Sequence, residues 1–463
     1  MLNTNGIAVT DLNICTYISL NNEITIKDIA EGFDRALRLQ PGLDADQPFD
    51  AIVHSTGMLV IRAWLTNYGA SVSDNGRLRR LKHLIGLAPA TWGSPQAHRG
   101  RTWMGALVKG NRNIGPDFMN AGDQVLDGLE LGSPFTWFLA HTDLLGPEPY
   151  YDRGPDTPYV SIFIGNNQYT GVASVANDSG TDGTVRWAGC GLNTRKIRVD
   201  LTRTPFDATG KTTSDRVSIT NWADDLRLDV PMIAVDGKNH ATLISEPSET
   251  MIQLVADFLG VADNSAFDVW LGRARQFSEL ALPQMRINPG ALEGGIVGAF
   301  KDRFSHIFGS MGREIEGWQQ FIVRAIDERG DSVPDYMLEV LAPDEDGNLV
   351  ELQEMYTDVH PYTGDSSFRA FYLRLPIGIS DPKTPLSLRV HASTGTDLMT
   401  YQGYGDTAQV QMTADSRPVV LDLTDFSLAK GTMFHPFTTT LIEIVLNREP
   451  LPLNGVSGVL KFI

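Results

Sequence analysis

The sequence reads as an α/β domain built on a mostly parallel sheet with a helical cap insertion, followed by a C-terminal antiparallel β-sandwich. Three observations carry that reading. Strand-like and helix-like segments alternate over roughly the first three hundred residues. The alternation lapses from Gly93 to about Tyr159, where aromatic residues, Gly and Pro accumulate. From Trp318 onward, short alternating strands separated by turn clusters take over. At 463 residues the chain exceeds what one core usually organises. Two domains are therefore expected: 1–313, with the insertion at about 95–158, and 314–463.

Leu12 to Leu20 (LNICTYISL) has the apolar, β-branched character of a buried strand. Ile24 to Leu39 spaces Ile26, Ile29, Phe33, Ala36 and Leu37 near helical period. Phe49 to His54 is a short strand and Met58 to Tyr68 a second helix, with Gly69 where a helix-ending left-handed residue belongs. His83 to Leu87, Tyr159 to Ile164 and Val230 to Val235 continue the sheet. A helix over about 249–259 follows, then a helical connector over roughly 264–313. The insertion and its edge carry Trp92, Trp103, Phe118, Phe135, Trp137 and Phe138, and a cap over the C-terminal edge of the sheet is expected there. In the last domain, FIVRAID, YMLEVLA, FRAFYLRL, LSLRVHAS, VVLDL and LIEIVL read as sandwich strands. Asp344 to Asn348 resembles a calcium loop in composition but lacks its spaced ligands and terminal Glu, so a hairpin turn is expected.

The net charge of −18 argues against nucleic acid as a partner, because phosphate backbones demand clustered Lys and Arg. It also disfavours tight docking on anionic membrane, leaving transient contact with a lipid surface. Two cysteines, Cys15 and Cys190, form no disulfide framework or metal knuckle, and two buried thiols are expected. No secretory signal and no stretch of eighteen apolar residues is present, which makes cytoplasmic residence the default expectation, with signal-independent export left open.

The most informative segment is Phe49-Asp-Ala-Ile-Val-His54-Ser55-Thr56-Gly57-Met58. A serine between a buried strand and an amphipathic helix, with almost no loop, sits on a strained corner that lifts its hydroxyl above the sheet. The next helix then begins beneath the charge that develops during attack. Gly57 lets strand and helix approach, and the Thr56 backbone N–H is a candidate oxyanion donor. His54 abuts the serine but is expected to point away from it, since adjacent strand residues face opposite sides.

HSTG followed by MLVIRAWL resembles the nucleophile elbow of the lipase and esterase branch of the α/β-hydrolase superfamily, with Val53 where the first glycine of G-x-S-x-G belongs. Trp92-Gly93-Ser94-Pro95 resembles the turn with which many of these enzymes begin their cap. Gly180-Thr-Asp182-Gly-Thr-Val185 is similar to the turn that carries the triad acid, with Asp178 a nearby competitor. His240, in Asp236-Gly-Lys-Asn-His240, stands where the family keeps its histidine. The resemblance thus implies Ser55, Asp182 and His240 as a triad in this fold's chain order, no cofactor, and an acyl pocket including Trp92, Trp103, Phe135 and Trp137.

The family also has a strand ending in His-Gly upstream of the elbow, which supplies the second oxyanion donor. No His-Gly pair precedes Ser55 here, and the expectation is an N-terminally shortened chain or a donor from another segment or subunit. The function implied is a serine hydrolase acting on small-molecule or lipid carboxylic esters, phospholipids included. A non-catalytic α/β-hydrolase-like binding module is the alternative, and an amidase or peptidase is a third reading. His98, His141, His306, His360, His391 and His435 lack ligand-like spacing, so no metal is expected.

Overall fold

The computed structural model describes residues 22–43, 47–68, 80–101, 122–147, 150–151, 153, 157–170, 177–203, 216–220, 230–286, 304–308, 315–396, 398–402 and 419–450. The expected strand at Leu12–Leu20, Cys15, Gly69, Trp103 and Phe118 lie outside them. The chain forms two compact units. The first holds 1–194, 223–287 and 437–439; the second holds 195–222, 288–436 and 440–463.

Among the described residues the first unit holds four parallel strands: β1 (Phe49–His54), β2 (Leu81–Leu87), β3 (Tyr159–Gly165) and β6 (Met232–Val235), side by side in that order. The runs LIGL and VSIFI are apolar without alternation, as strands covered on both faces require. Helix α1 (Ile26–Leu39) opens with a capping box, in which the Thr25 side chain accepts from the Asp28 N–H and the Asp28 carboxylate accepts from the Thr25 N–H. Its apolar face carries Phe33, which meets Trp64 of α2 (Gly57–Tyr68) edge to face at 5.5 Å. The Trp64 indole N–H is satisfied by Asp34 at 3.0 Å.

In the stretch expected as a cap, α3 (Pro95–Arg101), α4 (Asp123–Leu129) and α5 (Pro134–Asp143) are formed, packing on α1, α2 and one another. After β6 come α6 (Thr242–Ser245), α7 (Glu249–Phe258), α8 (Asn264–Ser278) and α9 (Leu282–Arg286). A fully buried ion pair ties α5 to α2. Arg62 donates to both carboxylate oxygens of Asp143, at 2.7 and 2.9 Å, and to the Thr91 carbonyl at 2.7 Å; the Tyr151 hydroxyl completes the set at 2.8 Å. Every polar atom of Asp143 is thereby matched, which is the condition for burying such a pair.

Among the described residues the second unit holds two sheets, most of whose strand pairs are antiparallel. One runs β10 (Tyr356–Pro361), β11 (Phe368–Pro376), β7 (Ile315–Asp327), β15 (Thr438–Pro450), β4 (Thr194–Asp200), β5 (Val217–Thr220), with β13 (Met399–Gln402) on β15. The other runs β14 (Val419–Asp422), β12 (Ser387–Ala392), β8 (Tyr336–Pro343), β9 (Leu349–Glu351). Val323 and Leu373 from the first sheet and Val340 and Leu388 from the second belong to one apolar cluster, the core of a sandwich. The unit also holds α10 (Ser305–Phe308), α11 (Leu423–Lys430) and a single 3-10 turn at Gln353–Met355. Asp344–Asn348 forms the β8–β9 hairpin turn. The Asp344 carboxylate accepts from the N–H groups of Asp346 and Asn348, so it is spent on the turn itself.

These units differ from the division at 313/314. Strands β4 and β5, although early in the chain, belong to the sandwich, and Phe437–Thr439 belongs to the first unit. The physical reason lies in β4: Ile197 and Val199 are buried while Lys196 and Arg198 alternate with them, a half-buried pattern that suits an antiparallel sheet.

Candidate active site

The ends of the four parallel strands supply the candidate residues. β1 runs directly into Ser55, whose φ of +53° places a non-glycine residue in the left-handed region. Such a conformation costs about 1–3 kcal/mol and persists only where surrounding contacts enforce it. The enforcement is visible: the Ser55 N–H donates to the Leu87 carbonyl at 3.2 Å, and its carbonyl accepts from Ala90 N–H at 3.0 Å and Met58 N–H at 3.3 Å. Gly57 makes the corner feasible, because a Cβ there would sit 3.1 Å from the Val53 Cβ. With valine at the position of the motif's first glycine, the second glycine carries the close approach alone. Thr56 stands at the start of α2, where backbone N–H groups have no intrahelical acceptor.

Asp182 follows β3 and His240 follows β6. The His240 Nδ1 lies 2.9 Å from Asp182 Oδ2, and the His240 backbone N–H donates to the Asp182 carbonyl at 3.0 Å. The other carboxylate oxygen of Asp182 accepts from the N–H groups of Thr184 and Val185, at 3.0 and 2.9 Å. Both side chains are buried. A carboxylate facing Nδ1 fixes the tautomer with its proton there and leaves the Nε2 lone pair for chemistry. Of the two aspartates open in the sequence, Asp182 is the one paired with His240.

Ser55 is nine-tenths buried as a residue, and its Oγ is fully buried and makes no hydrogen bond among the described residues. The structure therefore brings Asp182 and His240 into contact and sets Ser55 on a strained elbow, while the Ser55–His240 hydrogen bond is not formed. Catalytic hydrogen bonds often tighten only when substrate binds.

The His54 ring lies 4.6 Å from that of His240, and its Nε2 donates to the His240 carbonyl oxygen at 3.2 Å. Burial, reinforced by His240, pushes the His54 imidazole down to about 3, so it is neutral.

Two further sets of contacts place the loops. Thr91 Oγ1 donates to the Cys190 carbonyl, the Trp92 indole to Gly191 and Ser94 Oγ to Thr184, bracing the turn after β2 against the segment carrying Asp182. Asn166 donates to Asp236 and accepts from the Gly237 N–H, anchoring the loop that leads to His240. Gly165 lies so close that any Cβ there would overlap the Lys238 carbonyl.

The expected acyl pocket is corrected in part. Trp92 is fully buried, with both its N–H groups donated to backbone carbonyls and the Arg62 guanidinium over its ring at 5.4 Å; it is a brace, because its edges are consumed by the fold. Trp137 is likewise in the packed interior. Phe135 is half-buried on α5, and Phe138 one position on from Trp137 is exposed. An open cavity of about 510 Å³, lined by Lys82, His83, Arg153 and Tyr159, lies at the opposite, N-terminal ends of β2 and β3, away from Ser55. Cys190 is a buried free thiol, and burial pushes its ionisation well up.

No protein-family model matches the chain, and no curated protein matches it in sequence. Among solved structures, phospholipase PlaB from Legionella pneumophila superimposes with a TM-score of 0.66 at 22% identity, covering 96% of this chain and 87% of that one. The same phospholipase in complex with thio-NAD gives 0.65 at 22% identity, over 96% and 88%. The mature lipase BlEst2 from Bacillus licheniformis is 16% identical over 36% of this chain and 61% of that one, with a TM-score of 0.27. At 22% identity the likeness concerns the fold. The chain shares the fold of PlaB over nearly its whole length, a parallel α/β unit with a β-rich unit beside it in the sequence.

Proposed function

We propose that the protein is a serine hydrolase that cleaves carboxylic esters, with lipid esters as the substrate class. The observation that carries this reading is the buried Asp182–His240 pair, held at the C-terminal ends of the same parallel strands that present Ser55 on a left-handed elbow. One carboxylate oxygen of Asp182 serves its own turn and the other faces the imidazole, the arrangement in which a carboxylate orients a histidine base.

In this mechanism His240 Nε2 takes the Ser55 hydroxyl proton as Oγ attacks the ester carbonyl. The Thr56 N–H, at the positive end of α2, stabilises the oxyanion. Asp182 stabilises the imidazolium, which then protonates the leaving alcohol. Water activated by the same imidazole resolves the acyl-enzyme and regenerates Ser55. The likeness of the fold to a phospholipase favours a lipid ester, met through brief contact with a lipid surface.

Hydrolysis of p-nitrophenyl esters of increasing acyl length, by wild type and Ser55→Ala, tests the proposal. Turnover by the wild type with a loss of about 10⁴-fold or more in the variant is expected. Equal activity in the two would remove Ser55 from the mechanism, and no turnover on any ester would favour a non-catalytic binding module.

A further inference from the structure

His240 is held at three of its four polar atoms. Its Nδ1 faces Asp182 Oδ2, its N–H donates to the Asp182 carbonyl, and its own carbonyl accepts from His54 Nε2 at 3.2 Å. The first two contacts come from the segment after β3. The third comes from the last residue of β1, the neighbour of Ser55. We infer that His54 is a positioning residue for His240: its carbonyl hydrogen bond and ring contact fix the loop carrying the imidazole relative to the elbow that carries the serine. This inference rests on the Ser55–His240–Asp182 reading above.

Two features of the geometry support the role. One peptide bond separates the clamp from the nucleophile, so any displacement of the His240 loop is referred directly to the elbow. The enforced backbone at Ser55 leaves position 54 little freedom to follow the loop if it drifts. The chemistry of the side chain also fits. The contact needs an N–H donor, but a cation with its ring 4.6 Å from that of His240 would oppose the imidazolium that forms during attack. A neutral imidazole with its proton on Nε2 donates without that penalty, and burial keeps His54 neutral. Lysine or arginine would satisfy the carbonyl and disturb the base.

The test compares His54→Ala and His54→Gln with wild type on one p-nitrophenyl ester, and reads the low-field proton NMR signal of the His240 Nδ1–H. Glutamine places an N–H donor close to where histidine Nε2 lies, without a titrating ring. For His54→Ala, kcat is expected to fall about 10- to 100-fold with KM within about twofold, since a misplaced base costs chemistry and not binding. The Nδ1–H signal should broaden or shift. His54→Gln should return both readouts to within about threefold of wild type. Unchanged kcat and an unchanged signal in His54→Ala would overturn the inference while leaving the hydrolase reading intact. A parallel loss in both variants would reduce His54 to packing and overturn it too. If the wild type turns over no ester, the hydrolase reading fails, and the NMR signal alone still decides whether His54 holds His240.

Discussion

Asp182 holds His240 twice, through its carboxylate on Nδ1 at 2.9 Å and through its carbonyl on the backbone N–H at 3.0 Å. One residue thus sets both the tautomer and the position of the imidazole. Asp182→Asn preserves the shape and the backbone contact but presents an amide that favours the wrong tautomer. The expected result is a drop in kcat of about 10⁴-fold with little change in KM or thermal stability. Steady-state kinetics beside a melting curve checks it, and a large loss of stability with retained turnover would contradict it.

The buried Arg62–Asp143 pair makes a prediction about stability alone. Asp143→Ala leaves a guanidinium in the interior without its counter-ion, and a loss of about 3–5 kcal/mol is expected in denaturant unfolding. Replacing both partners by apolar residues of similar volume, as in Arg62→Met with Asp143→Leu, should recover most of that loss. A double variant worse than the single one would show that the pair contributes net stability.

The loop leading to His240 has no room at Gly165, where a Cβ would overlap the Lys238 carbonyl. Gly165→Ala must push that loop outward, and a shift of about 1 Å can cost about 100-fold in rate. Gly57→Ala meets the Val53 Cβ at 3.1 Å, a strain that a few tenths of an ångström relieves, so its effect should be smaller. Initial rates for the two variants rank the constraints, and a harsher effect at Gly57 would reverse the order.

Acid should weaken the fold before the carboxylates titrate. His54 is pushed down to about 3 by burial and by His240, and His435 to about 4 by burial and by Arg195. In the unfolded chain both take up protons near 6.5, while in the fold they resist. The unfolded state therefore binds more protons in that window, and stability falls as pH drops from about 6.5 toward 3, by up to about 1.4 kcal/mol per pH unit for each such group. The effect is fully absent above neutrality. Urea unfolding between pH 7 and 4 should show this slope, and His54→Gln should reduce it. A flat profile would contradict the buried neutral state of both rings.

Much of this site was legible in the sequence because its signals are local. Periodic apolar spacing marks α1, and the near absence of a loop between VH and GMLV marks the elbow. What escaped was set by tertiary placement. Strands β4 and β5 occur among the parallel strands in chain order, and only the alternation of Ile197 and Val199 with Lys196 and Arg198 hints that they pair elsewhere. The contact of His54 with His240 escaped because it joins residues 186 apart in the chain, which no local pattern reveals. Trp92 has the composition of a pocket residue, and nothing in sequence reveals that its indole N–H is already donated to Gly191.

The central claim is that Ser55 is a nucleophile activated by His240. Incubation with a fluorophosphonate, followed by peptide mapping in a mass spectrometer, addresses it most directly. A single adduct on Ser55 is expected, absent in Ser55→Ala and slowed at least about 10³-fold in His240→Ala. An unlabelled Ser55 in the wild type, or labelling at the same rate without His240, would contradict the account.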